Sequence, residues 1–275
     1  MLKNFKSVKS TDENGNILYK AYNLGLTDEE YDALKPVIGF LNGCWREKEK
    51  CFVFGYNPDE ILKDMFEMWE SGFFDKGTSV NYSESADGKL PLALLPFKYR
   101  EWQESNHFFP TPDDLARRVV ELCEIGKDDI VLEPSAGQGG LLKHIPKCKR
   151  LIPIEKDAHN VKVLNSKGHG AIRASFEDAV SGGYVESPTK VVMNPPFFGQ
   201  LDIKHILLAY DIMQDGGTLV AIMSENNLNY ETELTREFRK FLEDVGAEVI
   251  SVPFGEFSSS GTMVYTVIIK IVKVG

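Results

Sequence analysis

The sequence predicts an α/β protein: a mostly parallel seven-stranded sheet with an antiparallel last strand, preceded by a small N-terminal α+β domain. Two observations carry this. From Asp113 onward, short apolar runs of strand character alternate with amphipathic runs of helical spacing, the pattern of a parallel sheet covered on both faces. Only the ten residues from Pro253 to Thr262 separate the last two strand-like runs. That is too few for a helical crossover, so the final strand must reverse.

The first hundred residues do not share this rhythm. Asn14-Gly15 signals a hairpin turn, and Thr27 to Glu30 ahead of Tyr31 and Leu34 reads as a helix start. Residues 43–50 read as a loop entering a strand at Cys51 to Phe54, and Pro58 to Glu70 as a helix. Ser71 to Asn106 reads as mostly irregular, with Asp87-Gly88 as a turn. The expected division is 1–105 as the small domain with its connecting segment and 106–275 as the main domain. In the main domain the expected helices are Asp113 to Glu124, Gln138 to His144, Asp157 to Ser166, Ile203 to Gln214 and Thr232 to Val245. The expected strands are Asp129 to Glu133, Arg150 to Glu155, Ala171 to Arg173, Thr189 to Met193, Thr218 to Met223, Glu248 to Val252 and Met263 to Val272.

Composition bounds the function. The chain has 275 residues, 43% hydrophobic and 26% charged, with 23 Gly and 13 Pro, which excludes disordered and collagen-like classes. No apolar run approaches the roughly 20 residues that cross a bilayer, and Met1 to Ser10 carries three lysines with no apolar stretch behind them. The expectation is a cytoplasmic chain without a membrane partner. Cys44, Cys51, Cys123 and Cys148 show no zinc-binding spacing, so reduced thiols and no metal are expected. Acidic residues outnumber basic ones 41 to 31, for a formal charge of −10, which disfavours indiscriminate coating of nucleic acid.

Two constellations carry chemistry. Val131 to Gly140 is a buried strand entering a glycine-rich turn, where glycines admit a ligand close to the backbone. A second strand ends in Glu155, 18 positions after Gly137, the spacing at which an acid reaches ribose hydroxyls. Glu133 at the first strand's tip would repel phosphates and suit an ammonium or sulfonium ligand, a preference that S-adenosylmethionine meets. The second constellation, Asn194-Pro195-Pro196-Phe197, leaves the carboxyl end of another strand. Two prolines stiffen it, so that Asn194's side-chain carbonyl and Pro195's backbone carbonyl can meet the two hydrogens of one exocyclic amine. Phe197 offers an aromatic face to a planar base.

With these residues in place, the chain resembles the class I S-adenosylmethionine-dependent methyltransferases of the N6-adenine DNA type, in their stand-alone form. Phe108 to Pro112 is similar to that family's motif X, Glu133 to Gly139 to motif I, Glu155 to motif II and Asn194 to Phe197 to motif IV, in the family's order. The resemblance spans about Asn106 to the end and implies a Rossmann-like fold. It further implies that Phe109 and Thr111 meet the methionine end of the cofactor, that Glu133, Pro134, Ser135, Gly137 and Gly139 surround it, and that Glu155 holds the ribose. Phe176 matches an aromatic beside the cofactor's adenine, and Ser175 stands where the family usually has Asp, so that Glu177, Asp178 or a backbone group would take over the amine contact. Asn194, Pro195, Pro196 and Phe197 would be catalytic, Asn194 touching the cofactor as well. The implied activity is adenine-specific methylation of DNA, with the target base rotated out of the helix.

Alternatives remain at this level: methylation of an RNA base or a protein glutamine, or an idle methyltransferase fold that binds nucleic acid. Trp45, Arg46, Lys48 and Lys50 read either as a phosphate- or base-contacting stretch or as a solvated loop. Phe257 to Thr262 reads either as a substrate-side loop or as a plain hairpin connection. Oligomeric state and a paired restriction enzyme are left open.

Overall fold

The computed structural model describes residues 7–12, 17–22, 32, 34, 35, 37–39, 41, 43–46, 51–54, 58–71, 95–257 and 264–275. The chain divides into two compact units, Met1–Ser105 and Asn106–Gly275.

In the first unit, β1 (Ser7–Thr11), β2 (Ile17–Tyr22), β3 (Cys44–Arg46) and β4 (Cys51–Phe54) form an antiparallel sheet in the order β1-β2-β4-β3. β1 and β2 pair as the hairpin that Asn14-Gly15 predicts, although the turn itself lies outside the described residues, as do Thr27 to Glu30, Asp87-Gly88, Lys48 and Lys50. Arg46 is exposed at the end of β3. Helix α1 (Asp59–Glu70) buries Leu62, Met65 and Met68. Helix α2 (Leu95–Asn106) falls where an irregular segment was expected. Leu95, Tyr99 and Trp102 recur at i, i+4 and i+7 and are buried, but Gln103, also buried, and Pro96 blur that stripe in the sequence. Tyr99's hydroxyl donates to Asp64 at 2.9 Å within this core.

The second unit follows the predicted alternation. Its elements are α3 (Asp113–Leu122), β5 (Ile130–Glu133), β6 (Arg150–Glu155), α4 (Ala158–Ser166), β7 (Ile172–Arg173), α5 (Phe176–Ser181), β8 (Lys190–Met193), α6 (Leu201–Ile212), β9 (Thr218–Ser224), α7 (Glu225–Asn229), α8 (Glu233–Asp244), β10 (Glu248–Ser251) and β11 (Thr266–Val272). The sheet order is β10-β11-β9-β8-β5-β6-β7. β5 through β9 pair in parallel, while β11 runs antiparallel to both β9 and β10. This is a Rossmann-like α/β fold, a mostly parallel seven-stranded sheet with a reversed strand β11.

Alternation along each strand builds two cores. Ile130 and Leu132, Val191 and Met193, Leu219, Ala221 and Met223, and Val267, Ile269 and Ile271 face α5, α6 and α8. Val131, Val192, Val220, Ile222 and Ile268 face the other way, onto Leu115, Ala116, Val119 and Val120 of α3. Strands apolar on both faces are what a doubly covered sheet requires. Caps set the helix starts: Asp157 accepts from Asn160 N–H, Ser175 from Asp178 N–H and Thr232 from Thr235 N–H. Cys123 is buried under this second core, its sulfur toward the carbonyls of Val191 and Thr218, and burial pushes the thiol up to about 12. No helix among the described residues is long and apolar enough to cross a membrane.

Candidate functional site

β5 delivers Glu133 to the carboxyl edge of the sheet, and the chain turns there through buried Pro134 and half-buried Ser135. Ala136 N–H donates to the Ile154 carbonyl at 2.8 Å, pinning the turn to β6. Gly137 and Gly139 have φ of 52° and 90°, the left-handed region that favours glycine. A Cβ on Gly137 would stand 2.9 Å from the Phe108 ring, so the glycine also admits that aromatic. The helix expected from Gln138 to His144 is not formed: the chain continues in turns and closes with a single 3-10 turn at Leu142–His144. Left-handed glycines at 137 and 139 cannot propagate a right-handed helix, so turn amides replace the expected helix N-terminus.

Glu155 closes the turn from the neighbouring strand. Its Oε2 accepts from Gly137 N–H and its Oε1 from Asp157 N–H, both at 2.7 Å. A carboxylate has lone pairs for further donors, so these bonds leave room for ligand hydroxyls. Glu133 is 2% exposed and its Oε2 is buried with no hydrogen-bond partner. Burial first, and the Glu155 charge second, hold its carboxyl well above the usual carboxylate range. An acid with one unpartnered buried oxygen beside a second acid suits a cationic, hydroxyl-bearing ligand and resists phosphate.

The buried acid makes the site sensitive to pH. A raised pKa favours the protonated acid in the fold, a contribution to stability present below the unfolded value and lost as pH rises through the folded one. A cationic ligand needs the carboxylate, so its affinity should rise with pH over that window and binding should release a proton. Titration calorimetry with S-adenosylmethionine in two buffers of different ionisation heat should show this release, and Glu133→Gln should diminish it and flatten the pH dependence, leaving the part due to Glu155, whose carboxyl burial also raises.

β8 delivers the second half of the site. Asn194 is half-buried, Pro195 buried and Pro196 half-buried. Asn194's Nδ2 donates to Thr111's Oγ1 at 3.0 Å, and its Oδ1 is buried without a partner. Thr111, in turn, stands 3.6 Å from where a Cβ on Gly140 would lie. The segment Phe108 to Thr111 therefore touches both the glycine turn and the Asn194 loop, with half-buried Phe109 between these contacts.

Phe197 is half-buried and packs against the cluster that contains Val252, Phe257 and Ile268. The exposed ring of the loop is its neighbour, Phe198. Phe197's carbonyl accepts from Asn227's Nδ2 at 3.0 Å. The same amide donates to both oxygens of Asp202, at 2.7 and 2.9 Å. Asp202 is fully buried and also accepts from the backbone N–H groups of Ser224 and Ile203. Burial raises its carboxyl to about 6. The sequence reading missed this Asp202–Asn227 brace; its available signal was a lone acid beside the apolar positions Ile203 and Ile206.

Ser175's hydroxyl caps α5. Phe176 is buried, its ring centroid 5.4 Å from that of His205 with the planes 79° apart. His205's Nε2 lies 3.1 Å from Glu177's Oε1, its Nδ1 is buried without a partner, and burial lowers its pKa. A neutral ring that donates through Nε2 keeps Nδ1 as a spare acceptor near Phe176.

No family model matches the chain, and no curated protein matches it. Among solved structures it is similar to the methyltransferase subunit of a type I restriction-modification system from Streptococcus thermophilus, at 16% identity and a TM-score of 0.49, over 66% of this chain and 49% of that one. It is similar to an rRNA methylase from Streptococcus thermophilus at 15% identity and a TM-score of 0.44, over 60% of this chain and 97% of that one. A tRNA m1G37 methyltransferase from M. jannaschii matches at 18% identity and a TM-score of 0.43, over 60% of this chain and 50% of that one. The chain thus spans about half the length of the first and the third.

Proposed function

We propose that the chain transfers a methyl group from S-adenosylmethionine to the exocyclic N6 amine of adenine in DNA. The observation that carries this reading is Asn194's Oδ1, a buried acceptor without a partner on a loop stiffened by two prolines. It needs an N–H, and with Nδ2 placed on Thr111's hydroxyl the oxygen is left as the open acceptor.

Glu133, Gly137, Gly139 and Glu155 suit the cofactor, with Phe176 and Ser175 toward its adenine and Phe109 and Thr111 toward its methionine end. When bound, the cofactor would supply an electrophilic methyl carried on a sulfonium, which the amine nitrogen would take up with loss of one amine proton to water. Asn194 and Pro195 accept from the amine hydrogens and turn its lone pair out of conjugation with the ring. Pro196 and Phe197 hold those acceptors in place, and holding the nitrogen in line supplies much of the rate enhancement. No residue need act as a base before transfer, because the proton becomes acidic only afterwards.

Purified protein should move a labelled methyl group from S-adenosylmethionine into DNA, with the label recovered as N6-methyladenine after digestion. Label recovered only in RNA or protein supplied in parallel would move the reading to that substrate. Label in none would leave a binding protein without transferase activity.

A further inference from the structure

Five aromatic side chains are exposed among the described residues of the second unit: Tyr184, Phe198, Tyr230, Phe254 and Tyr265. Four of them lie at the carboxyl edge of the sheet, where Asn194 sits. Phe198 follows β8, Tyr230 follows the short helix that leaves β9, Phe254 follows β10, and Tyr265 immediately precedes the reversed strand β11. The register fixes this edge: Thr266 pairs with Ser224 at the end of β9, and Val267 with Ser251 at the end of β10.

Three of these four rings stand in stacked pairs. Phe198, 68% exposed, stacks on His107 with centroids 4.6 Å apart and planes 9° apart. Phe254 stacks on Tyr265 at 4.4 Å and 28°. Both pairs are anchored. Gly199 and Gln200 turn through left-handed φ values of 60° and 59°, and Gln200's amide donates to Thr235's hydroxyl at 2.7 Å. Tyr265's carbonyl accepts from Glu225 N–H at 2.9 Å. Phe257, three residues after Phe254, is buried in the cluster against which Phe197 packs, so the second platform and the Asn194 loop share one support.

Apolar rings left in water on one rim call for a planar occupant. We infer that these stacked pairs bind unstacked nucleobases on either side of the target base, so that the preferred substrate is a single-stranded segment of DNA. This rests on the function proposed above and names its substrate class. The charge supports it. A formal charge of −10 disfavours affinity drawn chiefly from phosphate neutralisation, whereas stacking asks for no cations. A duplex hides the faces of its bases, and a single strand offers them. His107 suits the role as a neutral ring, its pKa lowered by burial and by Lys156.

The test is fluorescence anisotropy with the full chain and a fluorescein-labelled DNA oligonucleotide, presented as a single strand and as a duplex of the same sequence. The single strand should bind at least about tenfold tighter. Phe198→Leu, Phe254→Leu and Tyr265→Leu should each weaken strand binding by about 5- to 100-fold, whereas Phe198→Trp should keep it within about twofold. These positions are exposed, so thermal melts should match the parent. Equal affinity for strand and duplex, or leucine variants that bind like the parent, overturns the inference. So does binding to neither DNA, which would point these rings at a protein partner.

Labelled methyl transfer separates the two readings. Ring-dependent strand binding without transfer to any pool sustains the inference and defeats the methyltransferase reading. Transfer to duplex DNA at parental rates by the leucine variants does the reverse.

Discussion

Asn194→Ala should lower the rate of methyl transfer by about 10²- to 10³-fold or more while S-adenosylmethionine binds within a few-fold of the parent. The expectation rests on the division of labour within one amide. Its nitrogen is engaged with Thr111, and its oxygen is buried with no partner. Alanine removes that acceptor but touches neither Glu133 nor Glu155, so calorimetric affinity for the cofactor should persist. Asn194→Asp is the informative companion, because it keeps an acceptor and gives up the donor to Thr111. It should retain more activity than alanine at saturating DNA. An alanine variant that turned over like the parent would defeat the catalytic assignment, and one that lost cofactor binding too would move Asn194 from catalysis to cofactor binding.

The second large effect lies beneath the loop. Asp202→Ala should destabilise the chain by about 3 kcal/mol, because three donors, the Ser224 and Ile203 N–H groups and the Asn227 amide, lose a buried acceptor worth about 1 kcal/mol each. For a domain of this size the corresponding fall in Tm is about 6 to 12 °C. The carboxyl's pKa is raised to about 6, so its linkage contribution is present in acid and lost as pH rises through about 6. The stability gap between parent and variant should therefore narrow from about pH 4 to about pH 7. Because Asn227 holds Phe197's carbonyl, the variant should also lower kcat more than it weakens cofactor binding. A variant with parental Tm and kcat would show that the brace has no such role.

Much of this fold is legible in the residues because strand and helix signals alternate at distinct periods. Val191 to Met193 and Thr218 to Met223 are apolar on both faces, and the short connection before Thr266 forces the reversal seen in β11. Glycine at 137 and 139 marks a turn but says nothing of the conformation beyond it, since helix formers such as Leu141 and Leu142 carry no mark of the left-handed φ ahead of them. Helix α2 is hidden in the sequence because Gln103 interrupts its apolar face. At the site, residues that announce chemistry in a row, such as Asn194 to Phe197, are visible. Residues that meet only through folding, such as Asp202 with Asn227 or His107 with Phe198, are not. A pair 25 or 91 positions apart leaves no local period to read.

The bond between Thr111 and Asn194 also bears on which bases the site can accept. With its NH₂ turned to Thr111, the side chain leaves its oxygen for the proposed recess. A purine carrying a keto group at that carbon would set oxygen against oxygen and be turned away, which would let the enzyme ignore guanine and hypoxanthine without any further discriminating residue.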